Sequence, residues 1–131
     1  MKIKAVDAEG KPLPNATLSI GQLKLAFPFG VAINKNILTN GAYQRWFTSK
    51  PFTVTVFENE MKWYSTEGSR GREDYSLPDA MLRLAKSHGI AVRGHNIFWD
   101  EPQYQPEWVK SLNPRELQLA ADKRLNSVVS R

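Results

Sequence analysis

TVTVFENEMKWYSTE, residues 53–67, sets the reading of the whole chain. Thr53 to Phe57 are β-branched or aromatic, the residue types that suit a buried sheet position. The character then changes at once. Glu58, Asn59, Glu60, Lys62, Trp63, Tyr64 and Glu67 crowd charge and aromatic surface together. An apolar strand with a polar, aromatic end is how an α/β protein presents a site at the carboxyl end of its sheet. The competing reading is a strand that runs out into a solvated turn.

The same design recurs on both sides. Downstream, Ile90-Ala91-Val92 opens a strand that runs into Arg93-Gly94-His95-Asn96-Ile97-Phe98-Trp99-Asp100-Glu101. Upstream, Phe27 to Ile33 is a short apolar run bounded by Asn34, and Gly30 within it suggests a close backbone approach. Between these strands lie helical patterns. Asn36 to Lys50 reads as one helix, weakened at Gly41 and ended by Pro51. Ser76 is the expected N-cap of the next helix, with Asp79 close to a capping box; Met81, Leu82, Leu84, Ala85 and His88 form its stripe and Gly89 its stop. His88, in the last turn, suits the helix dipole rather than a ligand. Asn113-Pro114-Arg115-Glu116 starts a further helix, in which Leu117, Ala120, Ala121, Arg124, Leu125, Val128 and Val129 follow helical spacing. Strand-helix units repeated in this way predict parallel strands near residues 28–33, 53–58 and 90–95. Residues 1–26 read as an antiparallel β arm, with alternation over Lys2–Val6 and Ala16–Ile20.

Composition narrows the function classes. The 131 residues suffice for one domain or a piece of one, and a hydrophobic fraction of 41% supports a packed core. Cysteine is absent, which removes disulfides and thiolate metal sites. The net charge is +5, but the basic residues are scattered among acidic ones and no basic run is interleaved with aromatics. Nucleic acid is therefore not an expected partner. MKIKAVDAEG has no apolar core of a signal peptide, and no stretch approaches a membrane span.

The polar strand ends suggest their own chemistry. Glu58 and Glu60, two apart on a strand, share a face. A retaining glycosidase needs two carboxyl groups about 5–5.5 Å apart, on opposite sides of the bond being cut. Neighbours on one strand rarely achieve that, so this pair is not read as acid and base. Glu58, Asn59 and Lys62 make better sense as hydrogen-bonding groups for a hydroxyl-rich ligand. For Glu60 the competing reading is an internal salt bridge. His95 has no second His or Cys at metal spacing, so neither a metal nor another cofactor is expected. Trp99 is either core or a stacking platform for a sugar.

Taken in order, Phe57-Glu58-Asn59-Glu60-Met61-Lys62-Trp63, Thr66-Glu67, Asp79-Ala80-Met81-Leu82, Arg93 to Trp99 and Trp108-Val109 resemble the first half of a glycoside hydrolase family 10 xylanase. NEMKWYSTE, VRGHNIFWDEP and KRLNSVVSR are similar to the plant branch of that family. The resemblance implies a (β/α)₈ barrel that cleaves β-1,4-xylan with retention, using two glutamates. It implies the first three β/α units here, residues 27–131, after a connector at 1–26. Glu58, Asn59 and Lys62 would hold glycone-side sugars, with His95 and Trp99 lining the sugar next to the cleaved bond. Asp100-Glu101-Pro102 departs from the His-Ser-Gln of many bacterial members. Both catalytic glutamates of the family would lie beyond Arg131, and a complete barrel takes about 250 residues. Xylan or xylo-oligosaccharide is the implied partner, and a secreted, cell-wall location the implied setting. A carbohydrate-binding protein without catalysis is the alternative.

Overall fold

The computed structural model describes residues 2–22 and 26–131. Three parallel strands form one sheet in the order β1 (Gly30–Ile33), β2 (Val54–Phe57), β3 (Ala91–Arg93). Gly30 pairs with Val54 and Ile33 with Phe57; Val54 pairs in turn with Ala91 and Val56 with Arg93. The expected strands are present but shorter, and β3 ends at Arg93, with Gly94 and His95 outside the ladder. At Gly30 a side chain is excluded: a Cβ there would stand 1.7 Å from the Val54 carbonyl oxygen.

Alternation along the strands divides the sheet. Ile33 and Phe57 face a buried core completed by Ile37, Phe47, Met81, Ala85 and Ile90. On the other face Ala32, Ala91 and Arg93 are exposed.

The helices depart from expectation at three places. The expected helix from Asn36 to Lys50 is two elements, a 3-10 turn (Lys35–Leu38) and α1 (Gly41–Thr48). Asn40 divides them by accepting the Tyr43 N–H at 3.0 Å as the cap of α1, while Asn34 caps the 3-10 turn by accepting the Asn36 N–H at 3.1 Å. Gly41 is thus the first residue of α1, where a helix tolerates it.

After the single turn α2 (Trp63–Thr66) comes α3 (Ser76–Ser87). Ser76 is its first residue rather than its cap. The carboxylate of Asp74 accepts the Ser76 N–H at 2.9 Å, and Asp79 pairs with Arg131 instead of closing a capping box. Gly89, at φ +68°, ends α3 as expected.

α4 (Glu107–Lys110) and α5 (Pro114–Val129) follow. The Asn113–Glu116 capping box forms in full. The apolar stripe of α5 does not pack as its spacing predicts, however. Leu117 and Leu125 are each 42% exposed and Val129 68%, while Arg124 is 1% exposed.

The amino-terminal arm is smaller than expected. Val6 and Pro12 form one antiparallel bridge around a turn in which Asp7 accepts the N–H groups of Glu9 and Lys11. Ala16–Ile20 forms no strand, and Leu18 and Ile20 are exposed.

Candidate functional site

Because the strands are parallel, the segments that follow them emerge at one end of the sheet. Asn34 follows β1, Glu58 to Lys62 follow β2, and His95 to Trp99 follow β3. The Glu58 N–H still donates to the Ile33 carbonyl at 2.9 Å, so the exposed Glu58 side chain stands directly on the ladder. Its carboxylate accepts from the Asn34 amide at 3.2 Å. Asn34, Glu58 and Asn59 line an open cleft of about 460 Å³.

Glu60 is built into the frame. It is 6% exposed, and its carboxylate accepts the Lys35 N–H at 2.7 Å and the Asn59 N–H at 3.0 Å. Its partners are backbone amides rather than a cation, so the internal salt bridge does not form among the described residues.

Lys62 is 8% exposed. Its ammonium donates to Asn59 Oδ1 at 3.0 Å and lies 4.2 Å from the centre of the Trp99 ring. A buried ammonium with an amide oxygen and an aromatic face as its neighbours keeps donors and charge available for a ligand oxygen. Asn59 Oδ1 also accepts the Tyr64 hydroxyl at 2.9 Å. With its oxygen held by two donors, Asn59 offers its NH₂ outward.

Trp99 is not an open platform. Tyr104 stacks on it with ring centres 4.4 Å apart at 11°. His95 is half-buried beside Lys62, and burial lowers its pKa from the ordinary 6.5; the charges of Arg93 and Lys62 add to the effect. The imidazole is therefore neutral at pH 7 and can both donate and accept. Asn59, Lys62 and Trp99 thus form one cluster, and the Lys62 charge acts on His95. Glu58 stands in the adjoining cleft and is linked to the cluster through Asn59. No three His, Asp or Glu side chains among the described residues could hold a metal ion together.

A model of glycosyl hydrolase family 10 matches residues 21–131. The chain belongs to glycosyl hydrolase family 10. It is 43% identical to endo-1,4-beta-xylanase 4 of Arabidopsis thaliana over 91% of this chain and 21% of that protein. Endo-1,4-beta-xylanase 5 of the same plant is 46% identical over 88% of this chain and 20% of its own length. An anti-sigma-I factor of Acetivibrio thermocellus is 43% identical over 98% of this chain and 17% of its own length. The family 10 chain therefore spans about a fifth of the length of these relatives.

Among solved structures, native xylanase 10C of Cellvibrio japonicus matches with a TM-score of 0.73 at 20% identity, over 92% of this chain and 29% of that one. A glycosylated endo-beta-1,4-xylanase of Gloeophyllum trabeum matches with 0.69 at 27% identity, over 78% and 32%. The three β/α units are accordingly part of a (β/α)₈ barrel, as the sequence led one to expect.

Three contributors to this candidate site were not singled out as such from the sequence. Tyr64 and Tyr104 were legible only as aromatic residues in or near loops. Arg124 lies on the helical stripe of α5 yet binds the loops that carry the cluster. It donates to the carbonyls of Met61 (2.7 Å), Asn96 (3.3 Å) and Ile97 (3.3 Å) and to the hydroxyls of Thr66 (2.8 Å) and Tyr75 (3.0 Å). Burial lowers its pKa, against the raising effects of Tyr75, Glu67 and Glu73. A charged residue at stripe spacing carries no sign of such a role.

The His95 environment makes a prediction. Its folded pKa is lowered below its unfolded value, so its contribution to stability is complete above about pH 6.5 and is lost as pH falls through the folded pKa. In an NMR titration the His95 ring should have its midpoint below 6.5. Lys62→Met should raise that midpoint part of the way, because burial remains. A midpoint unmoved by Lys62→Met would separate the two side chains.

Proposed function

We propose that this chain supplies the glycone-side sugar groove of an endo-1,4-β-xylanase that hydrolyses xylan with retention. In this reading residues 27–131 open the catalytic barrel and 1–26 connect to it. The observation that carries the proposal is the buried Lys62 ammonium, set between the Asn59 amide and the Trp99 ring at the carboxyl end of a parallel sheet. Such a group gives a charged donor to sugar hydroxyls, while Glu58 accepts from them and Asn59 donates to them. His95, neutral at pH 7, adds a donor and an acceptor next to Trp99. The plant relatives named as endo-1,4-beta-xylanases support the substrate class. Solved relatives carry xylopentaose and xylobiose, which supports xylo-oligosaccharide as the ligand. The same plant relatives support a secreted, cell-wall setting. No helix among the described residues is long and apolar enough to cross a membrane.

Glu58 and Glu60 do not serve this reading as acid and nucleophile. Glu60 is 6% exposed and its carboxylate accepts two backbone amides, which suits a structural role rather than attack on a sugar. A binding role without catalysis is the second reading, favoured by the relative that is named an anti-sigma factor rather than a xylanase.

Calorimetric titration of the chain with xylo-oligosaccharides tests the proposal. Lys62→Ala should weaken binding by about 10- to 100-fold through loss of a charged donor. Trp99→Ala should weaken it by about tenfold through loss of the ring that holds the Lys62 ammonium in place. The chain by itself should release no reducing sugar from xylan above a buffer blank. Unchanged affinity in both variants refutes the groove assignment, and release abolished by Glu60→Gln would make Glu60 catalytic.

A further inference from the structure

The amino-terminal arm carries a motif that the sugar groove does not use. Asn15-Ala16-Thr17 is an N-x-S/T triplet with a residue other than proline in the middle. No other asparagine of the chain has Ser or Thr two residues on. The triplet follows the Val6–Pro12 bridge, where the Leu13 N–H donates to the Ala5 carbonyl at 3.0 Å. Asn15 then turns the chain at φ +60°, in the left-handed region that asparagine tolerates. Residues 11–22 are exposed throughout. The side chains of Asn34, Asn40, Asn59 and Asn113 are each engaged in a hydrogen bond. The Asn15 carboxamide and the Thr17 hydroxyl make none among the described residues.

We propose that Asn15 is the acceptor of an N-linked glycan. The proposal rests on the secreted setting of the parent, because the modifying enzyme works in the secretory route. The co-reactant is an oligosaccharide carried on a lipid pyrophosphate. The Asn15 side-chain nitrogen bonds to the anomeric carbon of that oligosaccharide as the carbon's bond to the pyrophosphate oxygen breaks. The lipid pyrophosphate leaves with the electrons of that bond, and the amide nitrogen gives up one proton. Such a transfer needs a segment that an enzyme can seize and a carboxamide that is not already engaged. An exposed arm held by a single bridge meets the first need, and the Asn15 turn meets the second. The arm itself gains from the modification. Leu13, Leu18 and Ile20, which flank the triplet in sequence, are 47%, 53% and 65% exposed. A bulky, hydrated glycan among them shields apolar surface that the fold leaves open.

The test is the mass of the secreted chain. The chain is expressed behind a cleavable secretion leader in plant cells, and the secreted product is treated with a peptide-N-glycosidase. The untreated product should be heavier than the bare chain. The enzyme should collapse it to the bare mass and leave a deamidation mark at position 15. Thr17→Ala leaves the turn at Asn15 alone and should abolish the heavier species, while Thr17→Ser should keep it. Asn15→Gln should abolish it too, and serves as the second variant should Thr17→Ala fail to be secreted. A secreted chain of bare mass, or a heavier species that survives Thr17→Ala or Asn15→Gln, overturns the proposal. The leader makes that result independent of where the parent resides. The parent isolated from its own tissue supplies the other arm. A glycan at Asn15 there supports both the modification and the secreted setting. A bare Asn15 there, beside a glycosylated leader-directed chain, overturns the modification together with the secreted setting and leaves the sugar groove standing.

Discussion

Arg124→Met is expected to remove a large part of the stability of the fold. The side chain is 1% exposed and makes five hydrogen bonds, three of them to carbonyls of the segments after β2 and β3. Met fills most of the volume but donates nothing. The carbonyls of Met61 and Asn96 and the hydroxyls of Thr66 and Tyr75 would then lose their charged donor in a water-poor setting. Bonds to charged groups contribute about 1.5–3 kcal/mol each but are not additive, so a total of about 4 kcal/mol is expected. Domains hold only about 5–15 kcal/mol in all. Urea unfolding followed by circular dichroism should show a large fall in midpoint. Arg124→Lys should recover only part of it, because one ammonium cannot reach positions that a planar fork spans. A loss below about 1 kcal/mol would mean that α5 is held by its leucines after all.

Gly30→Ala should be nearly as damaging, for a different reason. The added Cβ would stand 1.7 Å from the Val54 carbonyl oxygen and 2.6 Å from its carbon. Both are backbone atoms, and neither can rotate aside. β1 would have to withdraw from β2, and the pairing from Gly30–Val54 to Ile33–Phe57 would loosen with it. Ile33 and Phe57 are both core residues, so the withdrawal would open the core. Overpacking ordinarily costs about 1–3 kcal/mol, and a backbone clash belongs at or above the top of that range. Gly21→Ala is the control, because a Cβ there meets nothing within 4 Å. Equal melting temperatures for the two variants would refute the close approach.

These two residues also mark how much was legible in the sequence. Gly30 was, because a glycine in an apolar strand signals a close approach that only a missing Cβ permits. The Asn113–Glu116 cap and the Gly89 stop were legible too, since their hydrogen bonds and dihedrals are local. The polar strand ends stood out because parallel topology brings such ends together, and Asn59, Lys62 and Trp99 do meet. Long-range partners were not legible. Ser76 looked like a cap, but Asp74 was as near and its carboxylate took the N–H. Asn40 divided a helix that its apolar spacing would have made continuous. Trp99 was read as either core or a stacking platform, and no spacing rule places Tyr104, five residues on, parallel against it. Arg124 satisfied the helical periodicity while inverting its usual meaning: the leucines of α5 remain largely in solvent and the arginine is the anchor.

The Glu60 carboxylate has a consequence for how a ligand would be received. One oxygen holds the amide of Lys35, after β1, and the other holds the amide of Asn59, after β2. The two loops are thereby clasped at a set separation, with Asn34 on one and Glu58 on the other. The width of the cleft is established before anything enters it. A ligand arriving there need not order either loop, so little conformational entropy is lost at that wall on binding. Recognition on this side would be of the lock-and-key kind, with the shape of the cleft itself screening ligands.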